Sequence, residues 1–325
     1  QFSHLNGDDS FADLKERLRP VCKRTLRRQV QEYIRYTERR AYTQDFVPTP
    51  DEEVLYEMVS EYLRRPNLMA LPASQRSLMT LIMRKLLASS TFAIAGALDS
   101  LAKKLERRLK ADQKRVAAAA QEIAEDFEAF AEYVEETETP EDDEPQAPLT
   151  VEEKDAIRLE ILDLRGFFES AMQITQNAKG EALLQALDAG FAMARELGGA
   201  ERAIIFTESR RTQNYVLKLL SENGYAGKIV LFNGTNTDPI AKQIYAAWKN
   251  GNAGTDRVTG SRSADTRAAL VEHFRNNAKI MIATEAAAEG INLQFCSLVV
   301  NYDLPWNPQR IEQRIGRCHR TARST

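Results

Sequence analysis

The sequence predicts an α/β protein in which a parallel-sheet lobe follows a largely α-helical region. Two observations carry this. Between Arg202 and Asp303 short apolar runs that fit buried strands alternate with amphipathic stretches, the pattern of β-α-β units. Between Asp51 and Leu197 the apolar residues instead recur at helical spacing. A chain of 325 residues also exceeds what one core usually holds. Three parts are expected: 1–70, a basic helical connector; 71–198, a helical protrusion region; and 199–325, the sheet lobe, with the boundary at Gly198-Gly199.

Residues 15–40 contain ten Lys or Arg against three Glu in a protein whose net charge is only -3. Such a stretch suits a nucleic-acid backbone, or is a solvated helix face. A Pro start signal precedes the helix over Asp51–Leu63, whose apolar stripe is Val54, Leu55, Met58, Val59 and Tyr62. Pro72–Ala95 reads as a helix or helix pair with Leu78, Leu81, Ile82, Leu86 and Leu87 as core, and Ala97–Tyr133 continues it. Glu135–Glu144 holds seven acidic residues in ten positions and flows into Pro145 and Pro148. That run cannot form a core; it reads as a mobile loop, 135–148, or as an acidic tether competing with nucleic acid. Thr150-Val-Glu-Glu153 is a capping box opening a helix to about Gln176, and Leu183–Leu197 is another.

In the sheet lobe, Arg202–Thr207 and Lys228–Phe232 are strands flanking a helix from Ser209 to Asn223, stopped by Gly224. Ile240–Trp248 looks helical; Trp248 either stacks on a base or packs beneath its loop. Lys279–Thr284 and Ser297–Asp303 are the remaining strands. Asn307-Pro308 then starts a helix running toward His319, Asn as cap and Pro at the first position. At 3.6 residues per turn Ile311, Ile315 and Cys318 share one face, with Gln313, Arg317 and Arg320 opposite. Two guanidinium groups aimed from the end of a parallel sheet suit phosphate, the alternative being a solvated helix. Thr284, Glu289, Gly290, Asn292 and Asp303 fall beyond the carboxyl ends of the strands, where open sheets bind ligands.

Ala283-Thr-Glu-Ala-Ala-Ala-Glu-Gly-Ile-Asn-Leu293 resembles motif V of the superfamily-two helicase-like ATPases, Asp303-Leu-Pro-Trp-Asn-Pro308 the short motif after it, and Gln313-Arg-Ile-Gly-Arg-Cys-His-Arg320 motif VI. The strand from Arg202 resembles motif IV, and Thr259-Gly-Ser-Arg-Ser-Ala-Asp-Thr-Arg267 the following one; residues 233–258 are an insertion relative to the family pattern. The Trp-Asn-Pro and Arg-x-His-Arg forms resemble the SWI/SNF-like double-stranded DNA translocases. Leu18-Arg-Pro20, Thr25-Leu-Arg-Arg28 and Pro48-Thr-Pro50 resemble the segment leaving the first ATPase lobe. The resemblance implies a second RecA-like lobe, with Arg317 and Arg320 as arginine fingers and Gln313 orienting nucleotide or water. It further implies nucleotide contacts at Glu289, Gly290, Asn292 and Asp303, and nucleic-acid contacts at Thr284, Arg210, Arg211 and Arg262. Glu289 has an alternative as a local salt-bridge partner, and the arginines as ordinary surface charge. Ala287-Ala288 stands where the family often has Gly-Gly, a departure that bears on direct backbone contact at those two positions. His319 is expected to be structural.

The family's other half is absent from the sequence. The only Gly-Lys pair, Gly227-Lys228, lacks the upstream glycine and the following Ser or Thr of a phosphate-binding loop. Glu52-Glu53 follows no strand and is no nucleotide-site carboxylate pair. ATP and Mg2+ are therefore expected to be held mainly by a separate N-terminal lobe, leaving this chain alone inactive. The start at Gln1 and the stop just after motif VI suggest a fragment, and residues 321–325, which depart from the family's usual continuation, suggest a foreign or out-of-frame tail. Expected partners are double-stranded DNA, that lobe, and proteins docking on the helical region. Cys22, Cys296 and Cys318 and the histidines show no metal-ligand spacing, and no apolar run approaches the roughly 20 residues of a membrane span. A reduced cytoplasmic location is the expectation. Two other readings stay open: a superfamily-two RNA or DNA helicase of another branch, and a non-enzymatic nucleic-acid-binding or interaction module.

Overall fold

The computed structural model describes residues 40–71, 76–110, 149–284, 290–305 and 307–318. Nearly all of the basic segment, the acidic loop, Cys22, Glu289, Trp306, His319 and Arg320 lie outside them. The elements below all belong to one unit, Tyr42–Cys318.

The first half is helical. Helix α1 (Pro50–Arg64) opens on a capping box: Thr49 Oγ1 accepts from Glu52 N, and Glu52 Oε2 accepts from Thr49 N at 2.7 Å. The expected Pro72–Ala95 stretch divides into α2 (Arg76–Ser89) and α3 (Thr91–Lys110), because Ser90 turns the chain and its hydroxyl caps the Ala93 amide at 3.0 Å. Of the residues expected in the α2 core, Ile82 and Leu86 are buried, but Leu81 is exposed and Met79 and Met83 fill the interior. Helix α4 (Val151–Gln173) starts on the predicted Thr150–Glu153 box and lies along α3. Leu55, Val59, Leu98, Leu101, Leu105, Ile157 and Leu164 form this core. Within it Glu160 accepts from the Tyr62 hydroxyl at 2.7 Å and from the amides of Met69 and Ala70 at 2.6 and 3.1 Å.

Helix α5 (Ala178–Glu196) leads to a parallel sheet of β1 (Ala203–Thr207), β2 (Ile229–Phe232), β3 (Ile280–Thr284) and β4 (Leu298–Asn301) in the order β2-β3-β1-β4. β1, β2 and β3 read as continuous apolar runs because helices cover both faces. Ile204, Phe206, Val230, Phe232 and Met281 face α7 (Pro239–Gly251) and α8 (Arg262–Asn276). Ala203, Ile205, Ile280 and Ile282 face α5 and α6 (Arg210–Leu220). Thus α5, on the amino-terminal side of the Gly pair, packs Leu183, Leu187 and Phe191 on the sheet. α6 ends in a wider turn at Ser221–Tyr225, where Gly224 takes φ +88°.

The insertion contains α7, longer than expected, and Trp248 packs rather than projecting: its indole nitrogen donates to Glu272 on α8 at 2.9 Å. Gln213 of α6 closes the sheet end. Its amide donates to the carbonyls of Ile282 at 2.8 Å and Phe232 at 3.3 Å, and its oxygen accepts from Asn233 at 3.2 Å. The last helix, α9 (Pro308–Cys318), starts where Asn307 Oδ1 accepts from Gln309 N at 2.9 Å.

Candidate functional site

β1, β3 and β4 end side by side, with Thr207 and Thr284 in register at their carboxyl termini. The chain after β1 passes β3 to reach β2, while the chain after β3 returns past β1 to β4, so both connections leave from this edge. Open sheets place ligands beyond the carboxyl ends of their strands.

Helix α9 is seated at this end by an arginine. Arg314 is 1% exposed; its Nη1 donates to Asn301 Oδ1 at 2.8 Å and to the Asp303 carbonyl at 3.0 Å, and its guanidinium lies 4.7 Å from the Phe206 ring centre. The fork thus grips the end of β4 while lying on β1. A helical wheel puts Arg314 at the border of the arc expected to be apolar, next to Cys318 and about 60° from Ile311. The opposite face carries Gln313, exposed, and Arg317, half-exposed, whose carbonyl accepts from Leu293 N at 3.1 Å.

Next to α9 lies a buried charge cluster assembled from distant segments. Asp303 Oδ1 pairs with Lys179 at 2.9 Å, while its Oδ2 accepts from Ser89 Oγ and Glu208 N, both at 3.1 Å. Lys179 also covers the Tyr302 ring, and the Tyr302 hydroxyl donates to Ser89 O at 3.1 Å. Lys85 of α2 pairs with both oxygens of Glu208 at 2.5 and 2.6 Å and donates to the Leu304 carbonyl at 3.2 Å. Burial pushes the Glu208 carboxyl up and the Lys85 ammonium down, each opposed by the other's charge. Charges taken from water persist only when paired in this way.

The remaining expected residues divide by exposure. Thr284 is fully buried at the end of β3, and Asp303 belongs to the cluster just described. Gly290 takes φ +76°, the left-handed conformation its loop needs, and Asn292 folds back to accept from Gln294 N at 3.2 Å. Arg211 turns toward α3, donating to Ser100 Oγ at 3.2 Å beside Gly96, where an added Cβ would meet the guanidinium. Arg210 is half-exposed at the start of α6.

Arg262 is exposed at the start of α8, beside a cleft of about 390 Å³ lined also by Thr235, Thr237, Lys242, Tyr245 and Thr266. Neither Arg262 nor Lys242 has an ion-pair partner among the described residues. The turn before α8 is fixed by Asp265, which accepts from Thr259 N at 2.9 Å, Thr259 Oγ1 at 2.7 Å and Gly260 N at 3.3 Å. These bonds to the charged form hold the Asp265 carboxyl below its ordinary value.

Residues missed in the sequence are Lys85, Ser89, Lys179, Glu208 and Arg314. Only Arg314 carried a signal, its place on the wheel; the others meet through contacts roughly a hundred or more residues apart along the chain. Among the described residues no cluster of His, Cys, Asp or Glu could hold a metal ion, and no helix is long and apolar enough to cross a membrane.

Residues 212–322 match the family model described as the helicase conserved C-terminal domain. An uncharacterized ATP-dependent helicase, YqhH of Bacillus subtilis, is 38% identical over 148 residues, covering 46% of this chain and 20% of that one. The pre-mRNA-splicing ATP-dependent RNA helicase prp28 of Schizosaccharomyces pombe is 31% identical over 129 residues, 38% of this chain and 19% of that one. The chain thus spans only about a fifth of these relatives. Among solved structures, the C-terminal part of the Fun30 ATPase domain is 17% identical with a TM-score of 0.38, covering 86% of this chain and 80% of that one. The Pyrococcus furiosus Hef helicase domain is 14% identical with a TM-score of 0.45, covering 96% and 59%.

Proposed function

We propose that this chain, whose residues 212–322 match the helicase conserved C-terminal domain, is the second lobe of an ATP-dependent double-stranded DNA translocase and supplies one wall of a shared ATP site. The observation that carries the reading is the seat of α9: buried Arg314 fixes the helix at the sheet's carboxyl edge, and Gln313, exposed, and Arg317, half-exposed, lie on the side turned away from Ile311 and Ile315. A guanidinium held there stabilises charge on a transferring phosphoryl group, an effect worth about 10³–10⁵ in rate. Arg317 and, beyond the described residues, Arg320 would act as the fingers, and Gln313 would orient nucleotide or water. The side chains fit ATP as a second wall only, since the 325 residues include no phosphate-cradling Gly-x-x-x-x-Gly-Lys-Ser/Thr loop. That loop and the magnesium ligands would come from the other lobe.

Nucleic acid would run across the same edge. Arg262 and Lys242, open to solvent beside a hydroxyl-lined cleft, suit phosphodiester contacts. The Trp306-Asn-Pro308 and Arg317-x-His-Arg320 forms favour duplex DNA. A second reading, an RNA helicase, is favoured by relatives such as prp28.

The test is ATP hydrolysis by this chain and by the full-length protein, with duplex DNA, single-stranded RNA or neither, and Arg317→Ala as the key variant. Silence from the chain alone, duplex-DNA-stimulated turnover from the full-length protein and its loss in the variant are expected. Stimulation by RNA alone would move the protein to the other branch. Unchanged turnover in Arg317→Ala would remove the arginine finger.

A further inference from the structure

We propose that Lys85 and Glu208 are positioning residues for the arginine face of α9, so that the helical region sets the rate of phosphoryl transfer without touching the nucleotide. The inference rests on Arg317 acting at the nucleotide phosphate, as proposed above.

The contacts form a short path. Lys85 lies on α2, inside the helical region, yet its ammonium reaches the sheet edge and binds two groups there: the Glu208 carboxylate at 2.5 and 2.6 Å and the Leu304 carbonyl at 3.2 Å. Glu208 directly follows β1, and its amide donates to Asp303 Oδ2 at 3.1 Å. Asp303 and Leu304 open the loop that leads into α9, and the Asp303 carbonyl is one of the groups that grip Arg314. One ammonium therefore ties the end of β1, the start of the loop and the helical region together at the root of the helix that carries Arg317. Lys179 adds a second tie, from α5 to Asp303.

A surface ion pair at this spot would do little, because water screens it and both side chains are free to move. This pair is largely buried: the side chains of Lys85 and Glu208 are 21% and 6% exposed. Its geometry is held from three directions, so displacing α2 must either pull the loop along or leave a buried carboxylate without its cation. Placement errors of about 1 Å at a reacting group cost roughly 10²-fold in rate. Small movements of the helical region, whatever binds it, would thereby reach the arginine.

The experiment uses the full-length protein with saturating duplex DNA and compares Lys85→Met, Lys85→Arg, Glu208→Gln, Arg317→Ala and Lys85→Met/Arg317→Ala. Lys85→Met is expected to lower kcat by about tenfold or more with KM for ATP unchanged. Lys85→Arg, which keeps the cation, should restore most of the loss. The double variant should be no slower than Arg317→Ala, because a residue that acts through another adds nothing once that residue is gone. Should Lys85→Met fail to fold, Glu208→Gln, alone and combined with Arg317→Ala, carries the same comparison. Multiplicative losses in the double variant, a rise in KM alone, or parental kcat in Lys85→Met while Arg317→Ala is inactive would overturn the positioning role and leave the arginine finger standing. Parental turnover in Arg317→Ala would remove both.

Discussion

Replacing Arg314 by Met keeps the length and apolar stem of the side chain and removes every donor. What is lost can be worked out from its surroundings. The ion pairs Lys85–Glu208 and Lys179–Asp303 beside it remain in the variant. The cost includes Asn301 Oδ1 and the Asp303 carbonyl, which lose donors at 2.8 and 3.0 Å. Each such orphaned acceptor costs about 1–3 kcal/mol. Losing the contact with the Phe206 face adds roughly 0.5–2 kcal/mol, and relief from burying a guanidinium returns part of the total. A net loss of about 2–4 kcal/mol is expected, or roughly 5–15 °C in thermal midpoint for a unit of this size. Arg314→Lys keeps one donor direction and should fall between variant and parent. Urea and thermal unfolding of this chain measure both. A variant within about 0.5 kcal/mol of the parent, the usual range for an unremarkable surface change, would refute the claim that Arg314 seats α9.

Three other perturbations follow from the same geometry. Glu160→Leu strips the acceptor from the Tyr62 hydroxyl and from the amides of Met69 and Ala70, and should cost about 3–5 kcal/mol by urea unfolding. Lys242→Ala and Arg262→Ala should weaken nucleic-acid binding evenly across sequences and each lower the salt slope by about 1, read from titrations at several salt concentrations. Asp265 has a folded pKa below its ordinary 3.8, so its stabilisation is complete above that value and is lost as pH falls through the folded one. Asp265→Asn should therefore be less stable at neutral pH, with the gap to the parent closing in acid.

The strands were legible because a two-sided sheet leaves a local trace: Ile204–Phe206 and Ile280–Ile282 are apolar without alternation since both faces are covered. The capping boxes at Thr49 and Thr150 were equally local, although only the second was identified as one. The amphipathic pattern of α9 gives its direction but assigns Arg314 no role, because a charged residue at the border of an apolar arc is ordinarily counted with the solvated face. Here the guanidinium finds two carbonyls and a ring. The cluster around Asp303 left no local trace. Lys85, Lys179 and Glu208 look like surface charges in their own segments and acquire meaning only when α2, α5 and β1 converge. The packing of α5 on the sheet was hidden for the same reason, since its apolar face does not reveal which core it enters.

Gln213 has a consequence for how this lobe tolerates change. In many sheets the strand ends are closed by the loops that follow them, so a long insertion disturbs the strand. Here the carbonyls of Phe232 and Ile282 are closed by a side chain from α6, and the Asn233–Asn236 turn locks itself through reciprocal side-chain bonds at 2.9 and 2.7 Å. The strand ends are thus finished by the first residues of the insertion, and Asp265 fixes the turn that follows it. The segment between carries α7, which packs Ala241 and Ile244 into the core on one face of the sheet and sets Trp248 against Glu272 of α8. Its solvent-facing surface is free to diverge, or to be exchanged by design, while the sheet edge beneath keeps its geometry.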